Sequence, residues 1–209
     1  MFLNKNKRFW YNRIAPIYNI IGDFYYYERK NLIENINLEE GDVVIDLCCG
    51  TGRNLPLIKS QVGSSGIIIG IDISPKMLEE AKRLNTSDNI FLICIDVENL
   101  NRAVLEKILD GRKIDKIICT LGFSVVENWQ SAFDKSYALL KKEGLYGILD
   151  LCYTYSNFIA NIINIFASAN SYRETTRLLK NNSRKYYSKT YKKFLIQKPL
   201  IFINFNKRK

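Results

Sequence analysis

Three carboxylates sit at or near the ends of short apolar runs: Asp46 in Val43–Leu47, Asp72 after Ile67–Ile71, and Asp96 after Ile90–Ile95. Between the first two lies Cys48-Cys49-Gly50-Thr51-Gly52, and Asp72 stands 20 positions past Gly52. A glycine turn leaving a β-branched run lets the backbone bend sharply and approach a ligand, and an acid at that separation reaches a pair of ribose hydroxyls. The chemistry indicated is the grip on a nucleoside-type cofactor. The residues that follow, Arg53-Asn54-Leu55, lack the third glycine of a dinucleotide fingerprint, which argues against a nicotinamide. The chain has no histidine, so a general base would be a carboxylate, a tyrosine or solvent. Tyr11, Tyr18, Glu127, Asp150 and Tyr153 are candidates, with nothing in the sequence to choose among them. Five cysteines without a Cys-x-x-Cys spacing, and no histidine, argue against a protein metal site.

Such acids need a scaffold that brings strand ends together. Strands are expected at Val43–Leu47, Ile67–Ile71, Ile90–Ile95, Lys116–Cys119 and Tyr146–Leu151. Helices are expected from about Arg53, after a Ser74 cap with Pro75 in the first turn, over Arg102–Leu109, and over Asn128–Leu140. This alternation predicts an α/β fold, a parallel sheet with helices on both faces, whose ligands bind at the carboxyl ends of the strands. In the first forty residues Phe9, Trp10, Tyr11, Ile14, Ile17, Tyr18 and Tyr25 to Tyr27 follow an irregular helical spacing, with Pro16 and Gly22 as breakers. Short packed helices are expected there. The apolar run Asn157–Ala167 reads as a core or covering helix. Lys192–Ile196 and Leu200–Phe205, separated by Gln197-Lys198-Pro199, read as a terminal hairpin.

From about Val43 to Leu151 the sequence resembles the class I S-adenosylmethionine (SAM)-dependent methyltransferases. The resemblance rests on five blocks in the family's order: Asp46 to Gly52, Asp72 to Leu78, Asn89 to Val97, Ile114 to Leu121, and Ala138 to Asp150. It implies a Rossmann-like, mostly parallel sheet of seven strands closed by a C-terminal antiparallel hairpin, with a helical lid over 1–40 and a catalytic domain over 41–209. It implies SAM as cofactor. Backbone N–H groups near Gly50, Thr51 and Gly52 would meet its carboxylate region, and Asp46 would accept from its ammonium directly or through water. Asp72 would bond both ribose hydroxyls, Ile73 and Met77 would sandwich adenine, and Asp96 with the Val97 backbone would read the amino edge. Thr120 and Leu121 end the fourth strand, where the methyl group would point. Cys48 stands where the family more often has glycine. Trp10-Tyr11-Asn12-Arg13-Ile14-Ala15-Pro16-Ile17-Tyr18 resembles the Tyr-x-x-x-Ala-x-x-Tyr opening of the ubiquinone/menaquinone methyltransferase-like group (methyltransferase type 11), which implies that Tyr18 lies near the amino-acid end of SAM. Leu121 to Trp129 is similar to a subgroup that includes phospholipid N-methyltransferases acting on phosphatidylethanolamine. Because a sulfonium is already an activated leaving group, proximity and exclusion of water supply most of the acceleration, and no obligatory catalytic residue is expected.

The formal charge of +10 is unevenly placed. From Arg173 onward lie 12 of the 31 basic residues and one of the 21 acids, with Tyr172, Tyr186, Tyr187 and Tyr191 interleaved. Such a segment could seat the protein on an anionic membrane, bind nucleic-acid phosphates without sequence preference, or be a solvated surface of biased composition. Cys119-Thr120-Leu121-Gly122 lacks the Asn/Asp-Pro-Pro-Tyr signature of amino-methylating DNA enzymes, and no Pro-Cys nucleophile serves cytosine chemistry. The expected acceptor is first a lipid or lipid-like molecule, a phosphatidylethanolamine-type amine or a quinol. A soluble small molecule comes second, nucleic acid or protein last, and a non-catalytic SAM-binding accessory protein is the alternative of another class. An odd number of thiols in apolar strands fits a reducing compartment. Asn4, Lys5, Asn6, Lys7 and Arg8 interrupt any signal-type run, and no stretch reaches the ~20 apolar residues of a spanning helix. A cytoplasmic protein, soluble or peripheral to a membrane, is expected. Oligomeric state is not legible.

Overall fold

Val43–Leu47 is buried at every position because both of its faces are covered. Val43, Ile45 and Leu47 enter one apolar cluster and Val44 the other, the period-two division of a strand between two layers. The computed structural model describes residues 2–23, 25–151, 187–190 and 199–204. In it β1 (Val43–Leu47), β2 (Ile67–Asp72), β3 (Ile90–Cys94), β4 (Ile114–Thr120) and β5 (Leu140–Leu151) form a parallel sheet in the order β3-β2-β1-β4-β5. Two antiparallel strands, β6 (Tyr187–Thr190) and β7 (Pro199–Asn204), extend it past β5, with β7 against β5. The chain steps outward from β1 to β3 and then returns to the other side of β1 as β4. That reversal opens a crevice between the carboxyl ends of β1 and β4.

Three helices cover the Val44 face: α2 (Tyr26–Asn35), α3 (Leu55–Val62) and α4 (Pro75–Leu84). Leu32 and Ile33 of α2 and Leu55, Ile58 and Val62 of α3 meet Ile68, Ile118 and Leu149 of the sheet. A Cβ at Gly147 of β5 would lie 2.8 Å from Ile36 and 2.9 Å from Leu32, so the missing side chain is what lets α2 lie close. The opposite face carries α5 (Arg102–Leu109) and α6 (Trp129–Leu139), with Leu105, Leu109, Ala132 and Phe133 against Ile117, Tyr146 and Ile148. There the buried Tyr146 hydroxyl is satisfied by Ser136 Oγ at 2.8 Å. The α2–β5 and α2–β7 packing ties α2 to the body of the sheet.

Three expectations need correction. Phe9 to Tyr18 lie on one helix, α1 (Phe2–Asp23), which runs through both Pro16 and Gly22, while Tyr25 to Tyr27 stand at the start of α2. Interior proline removes one hydrogen bond and crowds the preceding turn, at about 3 kcal/mol. Here its ring is exposed and the helix is held from outside, by packing on α4 and by side-chain bonds from Lys7 and Asn12. The residues between the helix expected to end at Leu140 and the strand expected from Tyr146 belong to β5, with an irregularity: Ile114 pairs with Leu140, then Lys116 with Leu145. Leu200–Phe205 falls largely on β7, but β7 pairs with Tyr187–Thr190. Periodicity marks a segment able to extend, whereas its partner is set by backbone pairing. Lys192–Ile196, Tyr153, Asn157–Ala167 and most of the basic segment lie outside the described residues. Among the described residues no helix is long and apolar enough to cross a membrane.

Candidate functional site

Past Leu47 the backbone enters the left-handed region three times, at Cys48 (φ 54°), Gly50 (φ 56°) and Gly52 (φ 76°). Glycine takes this conformation freely and an L side chain does so at a cost, so Cys48 occupies a position that favours glycine. At Gly52 a Cβ would also lie 2.8 Å from Asn85 Nδ2, 2.9 Å from Leu55 Cδ1 and 3.0 Å from Ala81 Cβ. The loop is fastened to β2 by Asp72, whose Oδ2 accepts from Gly50 N at 2.9 Å and whose Oδ1 accepts from Ser74 N at 2.8 Å. Ser74 caps α4, accepting from Met77 N at 3.2 Å, and its hydroxyl donates to Asn12 Oδ1 at 2.7 Å. One serine thus joins the glycine loop, α4 and α1.

Beneath α1 lies a cavity that opens to solvent. Tyr11, Tyr18, Gly50, Asp72, Ile73, Met77, Asp96, Val97 and Leu121 line it, so one space gathers residues 11 to 121. Lys7, Cys48, Glu98, Val125 and Val126 line it too and were not singled out for the site. Glu98 adjoins Asp96 in the short turn Val97–Asn99, where Asp96 Oδ1 accepts from Glu98 N at 3.0 Å. Lys7 donates to Val125 O at 2.7 Å, closing α1 onto the segment after β4.

The remaining expected residues lie elsewhere. Gly52 lines a second cavity on the outer side of the loop, with Tyr26, Arg29, Arg53 and Asn85. Asp46, Thr51 and Thr120 are buried without lining the first cavity. Glu127 is exposed and away from it, and Asp150 is buried, accepting from Ser124 N at 2.8 Å. Two polar residues that sequence reasoning missed join this buried layer. Asn54 donates to Asp46 Oδ1 at 2.8 Å and to Thr120 Oγ1 at 3.0 Å, while Arg29 donates to Asn54 Oδ1 at 3.1 Å and to Thr120 Oγ1. Nothing in the local pattern marks Arg29, since a lone arginine in a tyrosine-rich helix is ordinarily solvated.

Burial governs the charges. It pushes Asp46 up to about 7, against the opposing effects of the Asn54 hydrogen bond and the Arg29 charge. Burial also raises Asp72, opposed by backbone N–H donors, and Asp96, opposed by Glu98 N. It raises Tyr11 and Tyr18, so near neutrality both are phenols, able to donate a hydrogen bond and poor as bases. The hydrogen bond with Cys119, and then burial, raise Cys48, which remains a thiol rather than a nucleophilic thiolate.

A family model described as a methyltransferase domain matches residues 38–196. Among curated relatives, 2-phytyl-1,4-beta-naphthoquinone methyltransferase of Arabidopsis thaliana is 28% identical over 153 residues, covering 70% of this chain and 58% of the relative. Demethylmenaquinone methyltransferase of Staphylococcus epidermidis is 30% identical over 118 residues, covering 56% and 46%. The chain thus spans about half the length of these relatives. Among solved structures, geranyl diphosphate C-methyltransferase of Streptomyces coelicolor superposes with a TM-score of 0.67 at 14% identity, covering 87% of this chain and 78% of that one, a likeness of fold. The cavity suits SAM in one respect of its own: Asp72, which lines it, retains acceptor capacity where it faces the space. The chain belongs to the methyltransferase-domain family, with SAM as its cofactor, and is related to the demethylmenaquinone methyltransferases.

Proposed function

We propose that this protein transfers the methyl group of SAM to a ring carbon of a lipid-soluble quinol of the prenylated naphthoquinone type. The observation that carries the reading is the composition of the cavity. Its β2–β3 side has Asp72, Ile73, Met77, Asp96 and Val97, whereas Leu121, Val125 and Val126, which follow β4, are apolar. An adenosine and an apolar acceptor would meet between them. The names of the relatives over the same stretch, both quinone methyltransferases, point the same way.

In this reading Asp72 holds the ribose hydroxyls, Ile73 and Met77 flank adenine, and Asp96 with Val97 N reads its amino edge. Gly50, Thr51 and Gly52 shape the turn around the amino-acid end, Asp46 accepts its ammonium, and Tyr18 covers it. Thr120 and Leu121 end β4 beside the methyl group, and α1 acts as a lid. SAM supplies an electrophilic methyl on a positively charged sulfur. A quinol carbon attacks best when the neighbouring hydroxyl is ionised, and Lys7, the cationic residue of the lining, favours that phenolate by its charge. Attack of an anion on a cation disperses charge, so the apolar wall and the cover of α1 assist by excluding water. Tyr11 and Tyr18, held as phenols, orient the quinol oxygens rather than take protons. Glu98 accepts from Asn128, at 3.0 Å from N and 2.8 Å from Nδ2, which fixes its carboxylate at the rim of the cavity, and the quinol proton leaves to solvent.

The test is methyl transfer from labelled SAM to a short-chain demethylated naphthoquinone, offered chemically reduced or oxidised. Label is expected in the reduced form alone. Transfer to phosphatidylethanolamine vesicles instead would replace the quinol with the amine acceptor, and tight SAM binding with transfer to neither would leave a SAM-binding accessory protein.

A further inference from the structure

Cys48 and Cys119 stand at the ends of neighbouring strands, and their sulfurs meet. Cys119 is paired with Leu47 across β1 and β4, so Cys48 comes one residue beyond that pair. A hydrogen bond joins the two thiols. Both press on one point of the backbone: a Cβ at Gly122 would lie 2.6 Å from Cys119 Sγ, 3.0 Å from Cys48 Sγ and 2.8 Å from Cys48 Cβ. Gly122 lies outside the left-handed region, so the space left by its missing side chain, not its backbone freedom, is what admits the two sulfurs. Cys49 is turned the other way, its Sγ 3.0 Å from where a Cβ on Gly70 of β2 would stand, and Cys94 is exposed with its Sγ at Ile73 O. Among the described cysteines, Cys48 and Cys119 alone face one another, and methyl transfer as derived above uses neither thiol.

Cys119 is fully buried, whereas Cys48 lines the cavity beneath α1. A small oxidant entering that cavity therefore reaches Cys48 first and finds Cys119 behind it. We propose that Cys48 and Cys119 form a reversible disulfide that closes the cavity to SAM. With hydrogen peroxide as oxidant, Cys48 Sγ attacks one peroxide oxygen, giving a sulfenic acid and one water. Cys119 Sγ then attacks Cys48 Sγ and displaces its hydroxyl as a second water. The two thiols lose two electrons and two protons, and one peroxide becomes two waters. A dithiol reverses the step by exchange. A sulfur–sulfur bond of ~2.05 Å is much shorter than a hydrogen-bonded contact, so it draws the start of the glycine loop toward the end of β4. Gly50, two residues past Cys48, gives its N–H to Asp72 Oδ2 at 2.9 Å, and Leu121, two residues past Cys119, lines the cavity. The link thus moves the loop and the cavity wall together. The hydrogen bond and burial hold Cys48 as a thiol, which reacts slowly, so the pair answers sustained oxidation rather than a brief pulse. The effect on the cofactor rests on the reading of this cavity as the SAM site, whereas the bond itself does not.

The experiment exposes the whole, reduced protein to hydrogen peroxide and maps its non-reduced peptides by mass spectrometry. A peptide pair joining Cys48 to Cys119 is expected, removed by dithiothreitol and lost in Cys48→Gly, which distinguishes it from a link through Cys49. By calorimetry the linked protein should bind SAM at least about tenfold more weakly than the reduced one and recover on reduction. Saturating SAM should in turn slow the formation of the link. Cys119→Ala should bind SAM within about twofold of the reduced wild type and keep that affinity through the same treatment. Cys48→Gly, which places glycine in backbone that favours it, should also keep its own affinity through peroxide. A peroxide-treated wild type without the Cys48–Cys119 pair, a result that needs no variant, overturns the proposal. So does a link that leaves SAM affinity unchanged. An equal loss of affinity on oxidation in Cys119→Ala would assign the effect to another side chain and overturn it likewise. If the reduced wild type binds neither SAM nor S-adenosylhomocysteine, the cofactor reading itself is wrong, an outcome distinct from these, and the peptide map still decides whether the bond forms.

Discussion

Asp72 has both carboxylate oxygens engaged before any ligand arrives, one by the glycine loop and one by the start of α4. It therefore positions the loop as well as presenting an acceptor to the cavity. Asp72→Ala should weaken SAM binding by more than ~2 kcal/mol, about 30-fold or more, in calorimetry, and an unchanged dissociation constant would remove the ribose assignment. Asp46 gives a pH signature. Unfolded it ionises near ~3.9, whereas in the fold burial lifts it to about 7. Between those values the folded chain keeps a proton that the unfolded chain has lost. Its contribution thus makes stability fall as pH rises from about 4 to about 7 and level off above. A bound ammonium favours the ionised form, so SAM affinity should rise several-fold from about pH 6 to about pH 7.5, before the ligand's own α-amino group loses its proton at ~7.8, and the step should vanish in Asp46→Asn. A wild-type profile without that step would separate Asp46 from the ammonium.

At the scale of elements, the loop and α1 divide the work. Gly52→Ala places a side chain in left-handed backbone and against three neighbours, so it should cost at least ~2 kcal/mol and lower the melting temperature by about 4–8 °C. An unchanged melt would mean the loop relaxes freely. Asn12 ties α1 to the cap of α4, accepting from Ser74 Oγ and, at 3.4 Å, from Lys76 N. If α1 is the lid, Asn12→Ala should speed SAM release several-fold, measured by stopped flow, with little change in melting temperature. Equal release rates would make α1 a fixed cover. The strands and α4 were legible because their signals are local: a β-branched run at Val43–Leu47 and a hydroxyl cap before Pro75. The continuity of α1 was not legible, because the bonds that hold it through Pro16 reach residues more than sixty positions away.

For the whole molecule, strand order carries the site. The reversal at β1 brings Asp46, Asp72, Asp96 and Thr120, far apart in the chain, to one edge of the sheet, as the acids at the strand ends foretold. What the sequence did not reveal is depth. Asp46 and Thr120 fall one layer behind the lining, joined to Arg29 and Asn54 by hydrogen bonds spanning up to 91 residues, which no local spacing encodes. For the basic segment, most of which lies outside the described residues, the peripheral membrane role is a proposal, and co-sedimentation with anionic vesicles that disappears at high salt is its expected result. Recovery of the protein in the soluble fraction at low salt would count against it. The account as a whole stands on where the methyl group goes. Incubation of the protein with methyl-labelled SAM and a lysate of its source cells, followed by partition into organic, aqueous and precipitated fractions, should place the label in the organic phase on a quinone. Label confined to the aqueous or precipitated fractions would contradict a lipid-soluble acceptor, and label nowhere would contradict methyl transfer itself.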